Sequence, residues 1–305
     1  MTPALSSSAR HPGHGNPRRG QAIGRHGDDA LAAPCIDGYR LKRRIGAGRM
    51  AIAWLAEDVA RGGEVVLKVL RREHARGGPS FMQEFAVPFA LDSRHVVRVD
   101  GQFGGAGHAA IAMEYLGGGD LGALIRRGLS GDAALSLLRQ AALALDATHR
   151  HGFAHGDVKP ANLLLRASGE LVLVDFGLAR PLGTVHAPSQ PGIVVGTPRY
   201  AAPELSQAGP VTAAADVYSL GAVLHEMLCG KPPFPGDTVM EVVCQHLVAP
   251  VPRLPAGLAR FQPLVDAMLA KQPGERPRDG QAVLDRIDLM QDAASPYPGP
   301  IGARK

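Results

Sequence analysis

The strongest constraint in this 305-residue chain is the run His155-Gly156-Asp157-Val158-Lys159-Pro160-Ala161-Asn162, with Asp175-Phe176-Gly177 beginning thirteen residues after Asn162. Leu171-Val172-Leu173-Val174 leads into Asp175 and reads as a short buried strand that fixes where the carboxylate points. An Asp and an Asn five apart in a tight loop, joined by a second Asp closing an apolar run, supply a proton acceptor and two oxygen ligands. That is the set needed to handle a metal-bound nucleoside triphosphate. Lys159 adds positive charge where a transferring phosphoryl group develops its own charge.

Two features lie upstream. Ile45-Gly46-Ala47-Gly48-Arg49-Met50-Ala51-Ile52-Ala53 joins two strand-like runs, and its glycines let backbone N–H groups approach phosphate oxygens. Alone, Gly-x-Gly is a weak signal, and an ordinary hairpin turn is the plainer reading. Val65-Val66-Leu67-Lys68-Val69-Leu70 places one lysine inside an apolar strand, where a solvent-facing edge lysine is the plainer reading.

Taken in this order, the motifs resemble the protein-kinase family, and within it the bacterial serine/threonine kinases of eukaryotic (Hanks) type, over about Tyr39 to Leu289. The resemblance implies an α+β, bilobal fold with a small β-rich lobe, a glycine hinge at Gly117-Gly118-Gly119 and a larger helical lobe. It implies ATP and Mg²⁺ as cofactors, with Asp157 as catalytic base aided by Lys159, and Asn162 and Asp175 as metal ligands. Residues Ile45, Gly46, Ala47, Gly48, Arg49, Met50, Ala51, Ile52 and Ala53 would cover the nucleotide. Lys68 would grip the α- and β-phosphates, held by Glu84. Backbone groups of Glu114 and Leu116 would meet the adenine edge above Leu164.

Departures from the family pattern carry their own expectations. Ala51 replaces the third glycine, and Ala53 replaces the usual valine, which predicts a thinner roof and modest nucleotide affinity. Pro88, four residues after Glu84, removes the amide that would bond the Glu84 carbonyl, so the helix should kink or end just past that point. Gly156 stands where protein kinases usually have the arginine that reads an activation-loop phosphate, predicting weaker dependence on that switch. Thr184 and Ser189 are nonetheless available in the loop for autophosphorylation.

For the substrate class, Lys159-Pro160, the segment Gly196 to Glu204 and Arg276 as partner for Glu204 resemble protein kinases rather than small-molecule kinases. By the same resemblance Asp216 braces the catalytic loop, and Thr197 bonds Asp157 and Lys159. The leading expectation is a serine/threonine protein kinase acting on Ser/Thr hydroxyls of proteins. The alternatives are a pseudokinase serving as a nucleotide-binding or interaction module, and a kinase-fold phosphotransferase for small molecules.

Net charge of +5 raises the question of a nucleic-acid partner, but four of the excess charges lie in residues 1–27 and the fifth in the last fifteen residues. Residues 28–290 are therefore balanced, and no nucleic-acid partner is expected. Residues 1–36 are rich in Gly, Pro, Ser, His and Arg and read as a disordered basic arm, whose His11, His14 and His26 have no fixed metal geometry. Residues 37–290 read as the kinase domain, divided at about 116/117, and residues 291–305 as a loose tail.

Strands are expected at Tyr39 to Ile45, Ala51 to Glu57, Glu64 to Leu70, Arg94 to Gln102 and Ala109 to Glu114, with a helix around Ser80–Leu91. Helices are expected at Ala133–His149, capped by Asp132, and at Thr212–Cys229, ended by Gly230. Three unevenly spaced cysteines fit a reducing cytoplasm, and no apolar run reaches membrane-spanning length. The short chain leads us to expect input from a separate sensor or regulatory protein.

Overall fold

In a computed structural model, five strands form one antiparallel sheet in the order β1-β2-β3-β5-β4. They are β1 (Tyr39–Ala47), β2 (Ala51–Asp58), β3 (Glu64–Leu70), β4 (Val99–Gly105) and β5 (His108–Glu114), with helix α1 (Pro79–Ala90) packed against them. The structure describes residues 34–48, 50–71, 78–105, 108–185, 196–207 and 209–294. Arg49, Ser189, residues 1–33 with their histidines, and residues 295–305 lie outside them. Residues 1–35 separate from 36–305, and only the second unit is described further.

Strand alternation decides which side chains reach the cleft. In the β2–β3 register Ala53 lies opposite Lys68 and Ala51 opposite Leu70, so these four share one face. Leu67 and Val69 take the other face, with Ala110 and Ala112 of β5, and close a small core under Trp54 and Phe103.

The expected strand at Arg94 to Gln102 begins only at Val99. Residues 95–97 instead pair with β8 (Leu171–Leu173) of the other lobe: Leu173 donates to the His95 carbonyl at 2.8 Å and Val97 to the Leu173 carbonyl at 3.0 Å. A strand-like run was there, but its partner is remote. Helix α1 lies within a residue of the expected Ser80–Leu91 at each end; it runs through Pro88 and stops at Ala90, where the Leu91 amide closes it on the Pro88 carbonyl. Pro88 takes the i+4 amide from the Glu84 carbonyl, but it falls in the last turn, so little helix lies beyond the break.

The larger lobe contains α2 (Leu121–Arg127), α3 (Gly131–Arg150), α4 (Pro203–Ser206), α5 (Ala213–Cys229), α6 (Val239–Val248), α7 (Gln262–Met268) and α8 (Gly280–Ala294). Short pairs β6 (Phe153–Ala154) with β9 (Arg180–Pro181), and β7 (Leu163–Leu165) with β8, frame residues 155–162 and 174–179. Leu171, Val172 and Leu173 are fully buried, each contributing about 1.5–3 kcal/mol by burial. The N-cap of α3 is Ser130, which accepts from the Ala133 amide, rather than Asp132. Asp132 sits in the first turn, favoured there by the helix dipole. Thr212 caps α5, and Gly230 ends it in the left-handed conformation. Helix α8 continues four residues past the boundary expected at 290, there being no breaker before Ser295-Pro296. At the other end Ile36, expected in the arm, is buried and bridges Tyr39.

Candidate active site

Strand β3 presents Lys68, helix α1 presents Glu84, and the turn after β8 presents Asp175. The Lys68 ammonium donates to Glu84 Oε1 and, at 3.1 Å, to Asp175 Oδ1. Burial alone would lower the Lys68 pKa, but the Glu84 and Asp175 carboxylates outweigh it and hold the ammonium above its ordinary value. Burial pushes the Asp175 carboxyl up, yet Lys68 and the cations behind it bring the net below the usual value. At Glu84 burial wins over Lys68, and its carboxyl is raised. Asp175 has φ of 65°, the sole positive value outside glycine among the described residues. A conformation of this kind costs roughly 1–3 kcal/mol and persists where its surroundings fix it.

Asp157 follows β6 in the loop 155–162. Its Oδ1 accepts from the Thr197 amide at 3.1 Å and hydroxyl at 2.9 Å, while Oδ2 accepts from Lys159 and, at 3.2 Å, from Asn162 Nδ2. Lys159 also donates to the Thr197 hydroxyl at 3.0 Å. Because the Asn162 amide nitrogen is spent on Asp157, its Oδ1 is left as the atom suited to a hard cation. Two carboxylate- or amide-type oxygens, Asn162 Oδ1 and the Asp175 carboxylate, match what Mg²⁺ takes from protein when phosphate oxygens and water complete its shell.

The loop is braced from below by Asp216 of α5. It accepts from the His155 amide at 2.7 Å, the Gly156 amide at 2.8 Å and His149 Nε2 at 3.0 Å. Burial would raise the Asp216 carboxyl, but His149, His155 and the Gly156 amide hold it low. Arg276 is buried and grips both Glu204 oxygens, at 2.8 and 2.9 Å, tying residues 196–204 to the body.

A cavity of about 450 Å³ is lined by Gly46, Ala47, Gly48, Met50, Ala51, Ala53, Lys68, Glu84, Asp157 and Asp175 among others. Of the residues expected to cover a nucleotide, Ile45 and Ile52 do not line it. Ile52 lies on the opposite strand face, and Ile45 is exposed. Glu114, Leu116, Leu164 and Asn162 also lie outside its lining. The Leu116 amide makes no hydrogen bond among the described residues, as an adenine donor would require.

Three features escaped the sequence reading. Phe81, Leu70 and Leu178 complete the apolar wall of the cavity. Arg166 binds Glu114 through two hydrogen bonds, 2.8 and 3.1 Å, bracing the hinge. Arg180 donates to Gln83, linking β9 to α1. Only a positive charge in β9 one turn of chain after Asp175 hinted at the last; nothing local announced the others.

The protein kinase domain family matches residues 39–286, and the chain belongs to that family. It is 38% identical over 276 residues to the serine/threonine-protein kinase PknA of Corynebacterium glutamicum, covering 87% of this chain and 59% of that protein. It is 34% identical over 270 residues to PknA of Mycobacterium tuberculosis, covering 85% of this chain and 62% of that one. PknH of Mycobacterium bovis is similar at 34% over 272 residues, 87% of this chain and 45% of its own length. The chain thus spans between 45% and 62% of the length of these relatives. Family membership implies use of ATP and a divalent metal. No helix among the described residues is long and apolar enough to cross a membrane.

Proposed function

We propose that this chain is a serine/threonine protein kinase that moves the γ-phosphoryl of Mg-ATP to Ser or Thr hydroxyls of proteins. The observation that carries the reading is the connected polar set: Lys68 joined to both Glu84 and Asp175, and Asp157 joined to Lys159, Asn162 and Thr197. In this reading Asp157 orients the incoming hydroxyl and accepts its proton, and Lys159 stabilises charge on the transferring group. Lys68 holds the phosphates, and Gly46 and Gly48 let the loop approach them closely. Asn162 and Asp175 would hold Mg²⁺, which when bound neutralises phosphate charge. Residues 196–204 seat the protein substrate.

Nothing among the described residues favours the non-catalytic alternative. Ala51 and Ala53 line the cavity, and the helix carrying Pro88 still delivers Glu84 to Lys68. The proposal includes a cytoplasmic setting, supported by Cys35, Cys229 and Cys244 all being free. It takes 37–290 as the core of the working domain, extended by Ile36 and by residues 291–294 of α8, with the segments beyond as flanking arms. Since Gly156 lacks the phosphate-reading side chain, it also includes input from a separate sensor or regulatory protein. The test is incubation with Mg²⁺, γ-labelled ATP and dephosphorylated casein, followed by acid hydrolysis. Label on phosphoserine or phosphothreonine is expected; nucleotide binding with no protein label would defeat the proposal.

A further inference from the structure

The segment 196–204 hangs from Asp157 at its start and from Arg276 at its end, and its middle has a separate support. We infer that His246 of α6 is a positioning residue for the protein substrate, fixing the backbone of this segment at Arg199. The inference rests on the proposed function, in which that segment seats the substrate.

His246 is only 2% exposed, and both ring nitrogens are engaged. Nε2 lies 3.1 Å from the Arg199 carbonyl oxygen and Nδ1 lies 2.9 Å from the Tyr218 hydroxyl. A carbonyl only accepts, so Nε2 carries the hydrogen, and in the neutral ring Nδ1 accepts from Tyr218. The ring is held edge-on to Phe234, with centroids 4.8 Å apart, and tilted against Tyr218 at 5.6 Å. Burial, with the Lys271 ammonium nearby, depresses its pKa to about 4.

Helix α6 cannot easily rotate to release this bond. Lys271 donates to the His246 and Gln245 carbonyls at 2.8 and 3.4 Å, capping the last turn, and lies 4.0 Å over the Phe234 ring. Arg276 stacks on the far side of the cluster, 4.7 Å from the Tyr218 centroid, with its charge met by Glu204. One residue along the segment, the Tyr200 hydroxyl donates to Glu226 of α5 at 2.7 Å. Consecutive residues 199 and 200 are therefore pinned to different helices, one by backbone and one by side chain.

Removing His246 costs the Arg199 carbonyl its donor, a local penalty smaller than the stability of a typical domain. The fold then tolerates the loss, whereas the path of the segment is no longer fixed. This separates positioning from a purely structural role. His246→Phe keeps a ring against Phe234 and has no donor; His246→Gln returns an N–H near the Nε2 position; Tyr218→Phe keeps its ring and removes the hydroxyl that holds the His246 ring in its orientation toward Arg199.

Steady-state kinetics with Mg-ATP and dephosphorylated casein test the inference. His246→Phe is expected to raise the casein KM roughly five- to twenty-fold, with kcat and the ATP KM within about two-fold of wild type. His246→Gln should recover most of that loss. An unchanged casein KM, a parallel rise in the ATP KM, or no recovery by Gln would overturn it. If His246→Phe does not fold, Tyr218→Phe decides: a casein KM raised about two- to five-fold supports the inference, and no change sinks it. A wild-type chain that binds ATP and labels no protein removes the proposed function itself, a result distinct from any of these.

Discussion

Gly156 sits at φ of +78°, and a Cβ built there would come within 2.9 Å of the Leu178 carbonyl oxygen. The residue was read for what it lacks, an arginine that answers a loop phosphate. The structure adds a local cost to any side chain here. Gly156→Ala is expected to lose at least about 1–2 kcal/mol from the left-handed backbone alone, measurable by urea denaturation. A variant as stable as wild type would show that the loop relaxes freely.

His246 gives a second prediction, in stability against pH. The unfolded ring holds its proton up to the ordinary 6.5, whereas the folded one does so only to about 4. The pKa is depressed, so the stability that the neutral ring contributes is complete above 6.5 and is lost as pH falls toward 4. At 1.36 kcal/mol per unit the loss is at most roughly 3 kcal/mol. Melting temperatures at pH 7 and 4.5 should show a smaller drop for His246→Gln than for wild type. Equal drops would mean that other groups carry the acid sensitivity.

Among the elements, α3 and α8 come into close backbone contact at Gly280, where a Cβ would fall 2.4 Å from the Asp146 amide nitrogen and 2.6 Å from the Ala142 carbonyl. The Gly280 amide donates to His149 Nδ1 at 3.1 Å, and the same ring reaches Asp216 and, through it, the catalytic loop. Gly280→Ala should force the helices apart and cost about 1–3 kcal/mol, seen as a lowered melting temperature. An unaltered melting temperature would mean that the contact is slack. The activation segment is the other informative element. Thr184 donates its hydroxyl to the Pro181 carbonyl at 2.7 Å, and its carbonyl accepts from Val211 at 2.9 Å. With glycine at 156, phosphatase treatment should leave the transfer rate within about two-fold of the ATP-treated enzyme, with phosphate content followed by intact mass. A rate that collapses on dephosphorylation would show that another cation reads the phosphate.

At the scale of the molecule, the parts that could be read in the sequence were those whose chemistry is local. Apolar runs divided by glycines located β1, β2, β3 and β5, and the stretch 155–162 with 175–177 named its own polar residues. What could not be read were pairings across long separations: Arg166 with Glu114 is 52 residues apart, and His246 with Arg199 is 47. Residues 95–97 looked like the start of β4 because a strand pattern does not say which strand it joins. Ser130 and Asp132 are both good caps by type, and only the backbone path chose between them. No buried side-chain nitrogen or oxygen among the described residues lacks a partner, which is how these remote pairs come to be needed.

The central claim is that Asp157 acts in transfer while Lys68, Asn162 and Asp175 hold the nucleotide and metal. Single-turnover transfer to casein, paired with calorimetric binding of Mg-ATP, compares wild type with Asp157→Asn. The account predicts transfer slowed by about 10²–10⁴ with binding nearly unchanged. Transfer at the wild-type rate in the Asn variant would contradict it.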